Sequence, residues 1–309
     1  VMISHQNLIA NEEMMRLSCN STADEVVLNW VPFYHDLGLI GGVLHPIYIG
    51  AKAILLSPLH FLQRPVRWLQ AVTRYKATMS AGPNFAFELC VTRIPDEALE
   101  GIDLSSWRMA LCGAEPILEH TLTRFIDVFS KCGFPETAFF QGYGLAEAVL
   151  SCTSGSTEEL HKTIRVESAA LQESRVVETE NPDNSLVVVS CGKPLQGQEV
   201  RIVNQNTFES CGDDTVGEVW LRGDNVAGGY WQREESTVET FQATVQGESE
   251  KVHYLRTGDL GFIHDGEVYI NGRLKELIII RGRNHYPTDI EQTIASLEWN
   301  HPVIRPGNC

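Results

Sequence analysis

Basic residues are scarce in this chain: 24 Lys and Arg face 40 Asp and Glu among 309 residues, a formal net charge of −16. A surface so balanced repels nucleic acid and anionic membrane, so neither is expected as a primary partner. It remains compatible with a nucleotide site, which needs local donors rather than a basic surface. Long apolar runs are missing too. The best candidate, 37–51, is about 15 residues long and holds His45, Pro46 and four glycines, so it reads as buried core rather than an integral membrane segment. None of the eight cysteines forms a C-x-x-C pair, and the ten histidines show no H-x-x-x-H or H-E-x-x-H spacing. The thiols read as free cysteines of a reducing, cytoplasmic compartment, and no structural zinc site is expected. There is no internal repeat. The chain opens on Val1 rather than Met and closes on HPVIRPGNC, so both ends read as cuts, and the lack of a signal peptide carries no information.

What is present is ordinary globular material, with length for one large core or two modest ones. Residues 1 to about 150 alternate helix-like and strand-like segments. Ser4 is a cap candidate for a helix over 4–16. β-rich runs fall at 25–31, 51–56, 76–80, 107–112 and 137–141, with helices expected over 58–75, 84–93 and 118–131. Strands alternating with helices imply an α/β fold with covered, mostly parallel sheets. A polar, irregular stretch within 151–190 reads as a surface loop or insertion that regains order at 186–191. Short strands at 199–203, 217–222, 261–264 and 267–270, punctuated by glycine, suggest a small β-barrel or sandwich. A new unit begins near 273, with an apolar, buried strand over 277–281 and a helix over 288–297. The expected organisation is therefore 1–190, an α/β part; 191–272, a β-barrel-like subdomain; and 273–309, the start of a small α+β C-terminal domain.

Five segments carry chemistry. QGYGLAE (141–147) follows a predicted strand, and open α/β sheets bind ligands at the carboxyl ends of their strands. Its glycines, Gly144 among them, let backbone approach a ligand; Tyr143 offers a flat face for a base and Glu147 a hard oxygen for Mg²⁺. In YLRTGDL (254–260), a carboxylate after Thr-Gly suits a pair of vicinal hydroxyls such as those of a ribose. GRLKE (272–276) places Arg273 and Lys275 where they could meet phosphate or act at a hinge. CGAEPI (112–117) is a strand end with a turn, and YHDLGLIGG (34–42) puts His35 and an aspartate after a strand. Taken singly, each also reads as simple turn or surface-loop chemistry.

Together and in this order, the five segments resemble the adenylate-forming superfamily of acyl-CoA synthetases, peptide-synthetase adenylation domains and luciferases, over essentially the whole chain. The family's Tyr-Gly-x-x-Glu stands here as Tyr143 to Glu147, its Thr-Gly-Asp as Thr257-Gly258-Asp259, and its hinge as Gly272-Arg273-Leu274-Lys275 followed by Ile280-Arg281-Gly282. The gate-like YHDLGLIGG, Ala146 in place of the usual Thr, RGRNHYP (281–287) and the polar stretch near 161–190 are similar to the fatty acyl-AMP ligase branch. In that branch an insertion is associated with limiting the domain movement needed for CoA use.

The resemblance implies ATP-dependent conversion of a fatty acid to its acyl-adenylate with release of pyrophosphate. The acyl group would then pass to the phosphopantetheine thiol of an acyl carrier protein, in lipid or polyketide biosynthesis. It implies Glu147 as Mg²⁺ ligand, Tyr143 stacked on adenine, and Gly113-Ala114-Glu115-Pro116 as the other adenine wall. Asp259 would hold the ribose hydroxyls and Arg273 the ribose–phosphate side, with His35 near the acyl carboxylate and Lys275 as hinge. Two departures stand out: the family's phosphate loop belongs just before VMISHQNL, and its catalytic lysine near the end of the small domain. The expectation is thus an active parent protein and a weakly active or inactive fragment. The runner-up is an acyl-CoA synthetase or peptide-synthetase adenylation domain, and the reading from another class is a non-catalytic nucleotide-binding scaffold domain.

Overall fold

A computed structural model describes residues 1–249, 251–280, 283–287 and 290. The expected alternation takes the form of one large sheet. Strands β1 (Val26–Asn29), β2 (Lys52–Leu55), β3 (Met79–Gly82), β4 (Met109–Cys112) and β5 (Phe139–Gly144) lie parallel in the order β2-β1-β3-β4-β5. β6 (Ser151–Ser154) adds antiparallel to β5. β7 (Thr163–Glu167) and β8 (Ser185–Val189) form a separate antiparallel ladder, and the short β9 (Lys193–Pro194) closes the large sheet beside β6. The chain leaves β1 for one side and returns to place β3 on the other. That reversal of strand order opens a crevice at the carboxyl ends, where such sheets hold ligands.

Side chains alternate between the two faces of a strand, and here the faces are built differently. One face carries Leu28, Trp30, Ala110, Cys112 and Phe139 into the main core. Helices α4 (Val66–Tyr75), α5 (Asn84–Arg93) and α6 (Glu119–Phe129) cover it with Trp68, Phe87 and Phe125. Ring centroids lie 5.0 Å apart for Trp68–Trp107, 5.2 Å for Phe87–Phe125 and 5.0 Å for Phe87–Phe139, mostly edge to face. The other face carries Val27, Met79, Met109 and Phe140 and borders a cavity. Helix α1 (His5–Ser18) roofs it, starting at a reciprocal cap in which the Asn7 amide donates to Ser4 Oγ (3.1 Å) and the Ser4 amide to Asn7 Oδ1 (3.0 Å). Asn11 pins α1 to β6 by two bonds with the Ser151 backbone (2.7 and 3.1 Å). Buried Glu12 pairs with His45 at 2.8 Å, tying α1 to α2 (His45–Ile49).

Four expectations change. The helix expected over 58–75 is two, α3 (Pro58–Gln63) and α4, because Pro65 excludes helical backbone at Arg64, which sits at φ −151°, ψ 87°. The polar stretch near 161–190 is ordered: Ile164 and Val166 of β7 alternate inward with polar neighbours outward, and α7 (Ser168–Gln172) adds Leu171 to the same cluster as Phe262 and Tyr269. In the barrel-like part, β10 (Glu199–Val203), β11 (Gly217–Arg222), β12 (Leu255–His264) and β13 (Glu267–Arg273) form an antiparallel sheet in linear order, packed against α8 (Glu234–Phe241); no closing pair joins its outer strands among the described residues. The apolar strand at the start of the last segment, β14 (Ile278–Ile280), is exposed rather than buried, and pairs with β15 (Arg283–His285). The helix expected over 288–297, apart from residue 290, and the Arg281-Gly282 turn lie outside the described residues. Among the described residues, no helix is long and apolar enough to cross a membrane.

Candidate nucleotide and acyl site

β5 delivers Tyr143 to the carboxyl end of the large sheet, and its hydroxyl donates to Asp259 Oδ2 at 2.6 Å. Asp259 is not in a turn between strands, as the sequence suggests, but within β12. It stands opposite Arg273 of β13, whose Nε lies 3.4 Å from Asp259 Oδ1. The Thr-Gly-Asp geometry needs a kink in the strand. Gly258 supplies a positive φ of 73°, and the β11–β12 register slips between Glu218 and Trp220. Buried Glu218 accepts from the Gly258 amide (3.1 Å) and pairs with Arg256 (2.9 Å). Thr257 Oγ1 donates to the Val219 carbonyl (2.7 Å) and accepts from the Asp259 amide (3.0 Å). Burial raises the Asp259 carboxyl above its ordinary range, opposed by the Tyr143 hydroxyl and the Arg273 charge. Burial also pushes the Tyr143 hydroxyl well up, and the neighbouring Asp259 adds to it.

Glu147 sits in a single 3₁₀ turn, Ala146–Ala148, after β5. Its Oε1 accepts from the Tyr230 hydroxyl at 2.8 Å and its carbonyl from the Ala227 amide at 2.8 Å. Tyr230 is pushed up to about 12, by burial first and the Glu147 carboxylate second. Gly144 is required here, because a Cβ would lie 1.7 Å from the Leu150 carbonyl oxygen. After β4, the Gly113-Ala114-Glu115-Pro116 turn bends through Ala114 at φ 67°. The Glu115 carboxylate accepts from the Phe85 amide, and burial raises its pKa. His35 stands ahead of a π-helical segment, Leu37–Leu44, with Nδ1 2.7 Å from Asp36 Oδ1.

A cavity of about 440 Å³ joins most of these groups. His35, Gly113, Ala114, Tyr143, Gly144, Glu147 and Arg273 all line it, and Asp259 reaches it through its two partners. Glu115, Pro116 and Lys275 do not line it, and Lys275 is exposed. The rest of the lining is largely apolar and descends the hollow face of the large sheet. Sequence reasoning missed Tyr230 and Glu218. The first follows a Gly-Gly pair at 228–229 and the second is the second residue of the strand GEVWLR, and neither spacing declares a role. Among the described residues, no group of three or more His, Cys, Asp or Glu could hold a metal ion.

An α/β sheet with a cavity at the carboxyl ends of its strands defines a ligand-binding class of α/β protein. Residues 1–231 match the model of the AMP-binding enzyme family, and the chain belongs to that family. It is 44 % identical to the medium-chain-fatty-acid–acyl-carrier-protein ligase JamA of Moorena producens, over 100 % of this chain and 52 % of that protein. It is 40 % identical to the medium-chain-fatty-acid–acyl-carrier-protein ligase TtuA of Teredinibacter turnerae, over 96 % of this chain and 47 % of that one. Among solved structures, the fatty acyl-adenylate ligase of Legionella pneumophila in complex with acyl adenylate and pyrophosphate superposes with a TM-score of 0.87 at 44 % identity, over 96 % of this chain and 52 % of that one. The chain thus spans about half the length of the curated relatives it matches.

Proposed function

We propose that this chain carries the nucleotide and acyl sites with which the full-length protein activates a fatty acid, of medium chain length, as its acyl-adenylate. The observation that carries this reading is the single cavity, which has carboxylates, tyrosine and arginine at its rim and an apolar trough below. A carboxylate oxygen of the acid bonds to the α-phosphorus of ATP, the bond from that phosphorus to the bridging oxygen breaks, and pyrophosphate leaves. An anion attacks a polyanion here, so positioned donors and cations lower the barrier by stabilising charge as it moves. In this reading Tyr143 and the Gly113–Ala114 backbone flank adenine, with Glu115 and Pro116 shaping that turn from behind. Asp259 accepts from the ribose hydroxyls, Arg273 meets the ribose–phosphate side, and His35 lies by the acyl carboxylate. Lys275 is the hinge between half-reactions. The division at 190 and 272, and a small α+β domain from 273 onward, belong to the same reading.

Glu147 fits a Mg²⁺ ligand. It is one carboxylate at the cavity wall, oriented by Tyr230, and Mg²⁺ in nucleotide sites takes one or two carboxylates plus phosphates and water. When bound, the ion neutralises phosphate charge. The acceptor is proposed as the phosphopantetheine thiol of an acyl carrier protein, because the two bacterial relatives are named as acyl-carrier-protein ligases. Sulfur bonds to the acyl carbon, the carbon–oxygen bond to AMP breaks, and the thiol proton is lost.

Fatty-acid-dependent ATP–pyrophosphate exchange by the full-length protein tests the first step. Absence of exchange with every chain length would refute it. Supplying either holo carrier protein or CoA tests the second: acyl-carrier product is expected, and acyl-CoA as the main product would assign the acceptor to CoA.

A further inference from the structure

The trough carries an inference of its own, which rests on the acyl-adenylate reading. Cys19, Val27, Met79, Met109, Leu111 and Phe140 form one apolar cluster, and all six line the cavity. Strand register places them. Val27 is opposite Met79 and Met79 opposite Met109, so these three stand in a row across β1, β3 and β4. Residues in register on parallel strands share a face. Two residues nearer the carboxyl ends, Ala81 is opposite Leu111 and Leu111 opposite Phe140, and all three line the cavity. Gly113, Ala114 and Tyr143 follow at the rim. The trough therefore runs along the strands, from the rim down to a bar of one valine and two thioethers.

Behind the bar the surroundings turn polar. The Arg108 Nε donates to Glu25 at 3.0 Å, its Nη1 to the Cys19 carbonyl at 3.2 Å, and its Nη2 approaches the Met79 sulfur at 3.8 Å. The Ser21 hydroxyl meets the same sulfur at 3.9 Å. Glu25 is buried. An alkyl chain passing the bar would have to separate a hydrogen-bonded ion pair and leave a buried charge unpaired, which is strongly unfavourable.

We propose that the Val27–Met79–Met109 bar, backed by the Arg108–Glu25 pair, is the length stop of the acyl site. Ala81, on the rung above, leaves the way down to it open. From Gly113 to Met109 the strand advances about 13 Å, at ~3.3 Å per residue. A staggered alkyl chain advances about 1.25 Å per carbon for bonds of ~1.5 Å. The trough then takes acids of about eight to ten carbons by the same spacing.

The test is the chain-length profile of ATP–pyrophosphate exchange, from hexanoic to hexadecanoic acid, on the full-length protein and two variants. Ala81→Leu fills the trough one rung above the bar and is expected to lower the preferred length by about five carbons, since a rung is about 6.6 Å. Met109→Ala is expected to raise it by about two carbons, through KM rather than kcat. Thermal unfolding checks both folds, and Ala81→Val gives a milder step in the same direction should a larger change fail to fold. A profile that all of the folded variants leave unmoved, in a protein that does use fatty acids, overturns the length stop alone. Failure of the unsubstituted protein to use any acid instead overturns the acyl-adenylate reading beneath it.

Discussion

The two faces of the large sheet are cut from the same strands, yet one is solid and the other hollow. On the solid face, Trp68, Phe87, Trp107, Phe125 and Phe139 meet ring against ring and are almost wholly buried. On the hollow face, flexible thioethers and a thiol border open space. Rigid aromatic packing specifies the sheet, whereas unbranched side chains can yield to a guest. In the proposed reading, stability and binding are divided between alternate residues of the same four-residue strands, such as Met109 and Ala110.

The largest way to break that division is to hollow out the solid face. Phe125→Ala is expected to cost about 3–5 kcal/mol, whereas Met109→Ala, which borders the cavity, should fall at the low end of the ~2–5 kcal/mol range for such truncations. Urea unfolding of both proteins measures the contrast, and equal losses would mean that the faces do not differ in load.

The rim should behave in the opposite manner, with large losses of activity at little cost to the fold. Glu147→Gln and Asp259→Ala are each expected to lower ATP–pyrophosphate exchange on the order of 10²–10³-fold, and Glu147→Gln, whose amide oxygen can still accept from Tyr230, should leave the unfolding midpoint unchanged. Full exchange in either variant would remove that carboxylate from the catalytic site, and absence of exchange in the unsubstituted protein would favour a non-catalytic nucleotide-binding role.

Enlarging a side chain sharpens the comparison more gently. Ala110→Leu pushes into the aromatic core and should destabilise by about 1–3 kcal/mol. Ala81→Leu points into the cavity and should stay within about 0.5 kcal/mol of the parent. Chemical denaturation of the pair reads the difference directly.

The smallest effect concerns pH. Burial raises the folded-state pKa of Asp259, so the folded protein holds that proton more tightly than the unfolded chain. The resulting stabilisation is present below the ordinary carboxylate pKa and is lost as pH rises through the raised value. Without nucleotide, the unsubstituted protein should therefore lose stability relative to Asp259→Asn on going from mildly acidic to neutral pH. A constant difference between the two would show that Asp259 titrates normally.

Much of this organisation was legible in the sequence, and the parts that were not have physical causes. β-rich apolar runs located the parallel strands, because a strand covered on both faces is apolar throughout, and helical patterning located α5. The Thr-Gly-Asp segment looked like a turn because glycine signals turns, although Gly258 in fact lets a strand kink. The stretch near 161–190 looked irregular because Thr-Ile-Arg-Val-Glu hides only two inward positions among polar neighbours. Tyr230 is brought to Glu147 across 83 positions, and Glu218 to Gly258 across 40. Such long-range pairs leave no local spacing to read. Likewise, the row of Val27, Met79 and Met109 exists only once register is known.

The most direct measurement is a crystal structure of the full-length protein with a non-hydrolysable decanoyl-adenylate analogue. The adenine is expected beside Tyr143 and the Gly113–Ala114 turn, the ribose on Asp259, and the acyl tail along Leu111 and Phe140, ending against Met79 and Met109. An acyl tail lodged anywhere but on this hollow face would contradict the account.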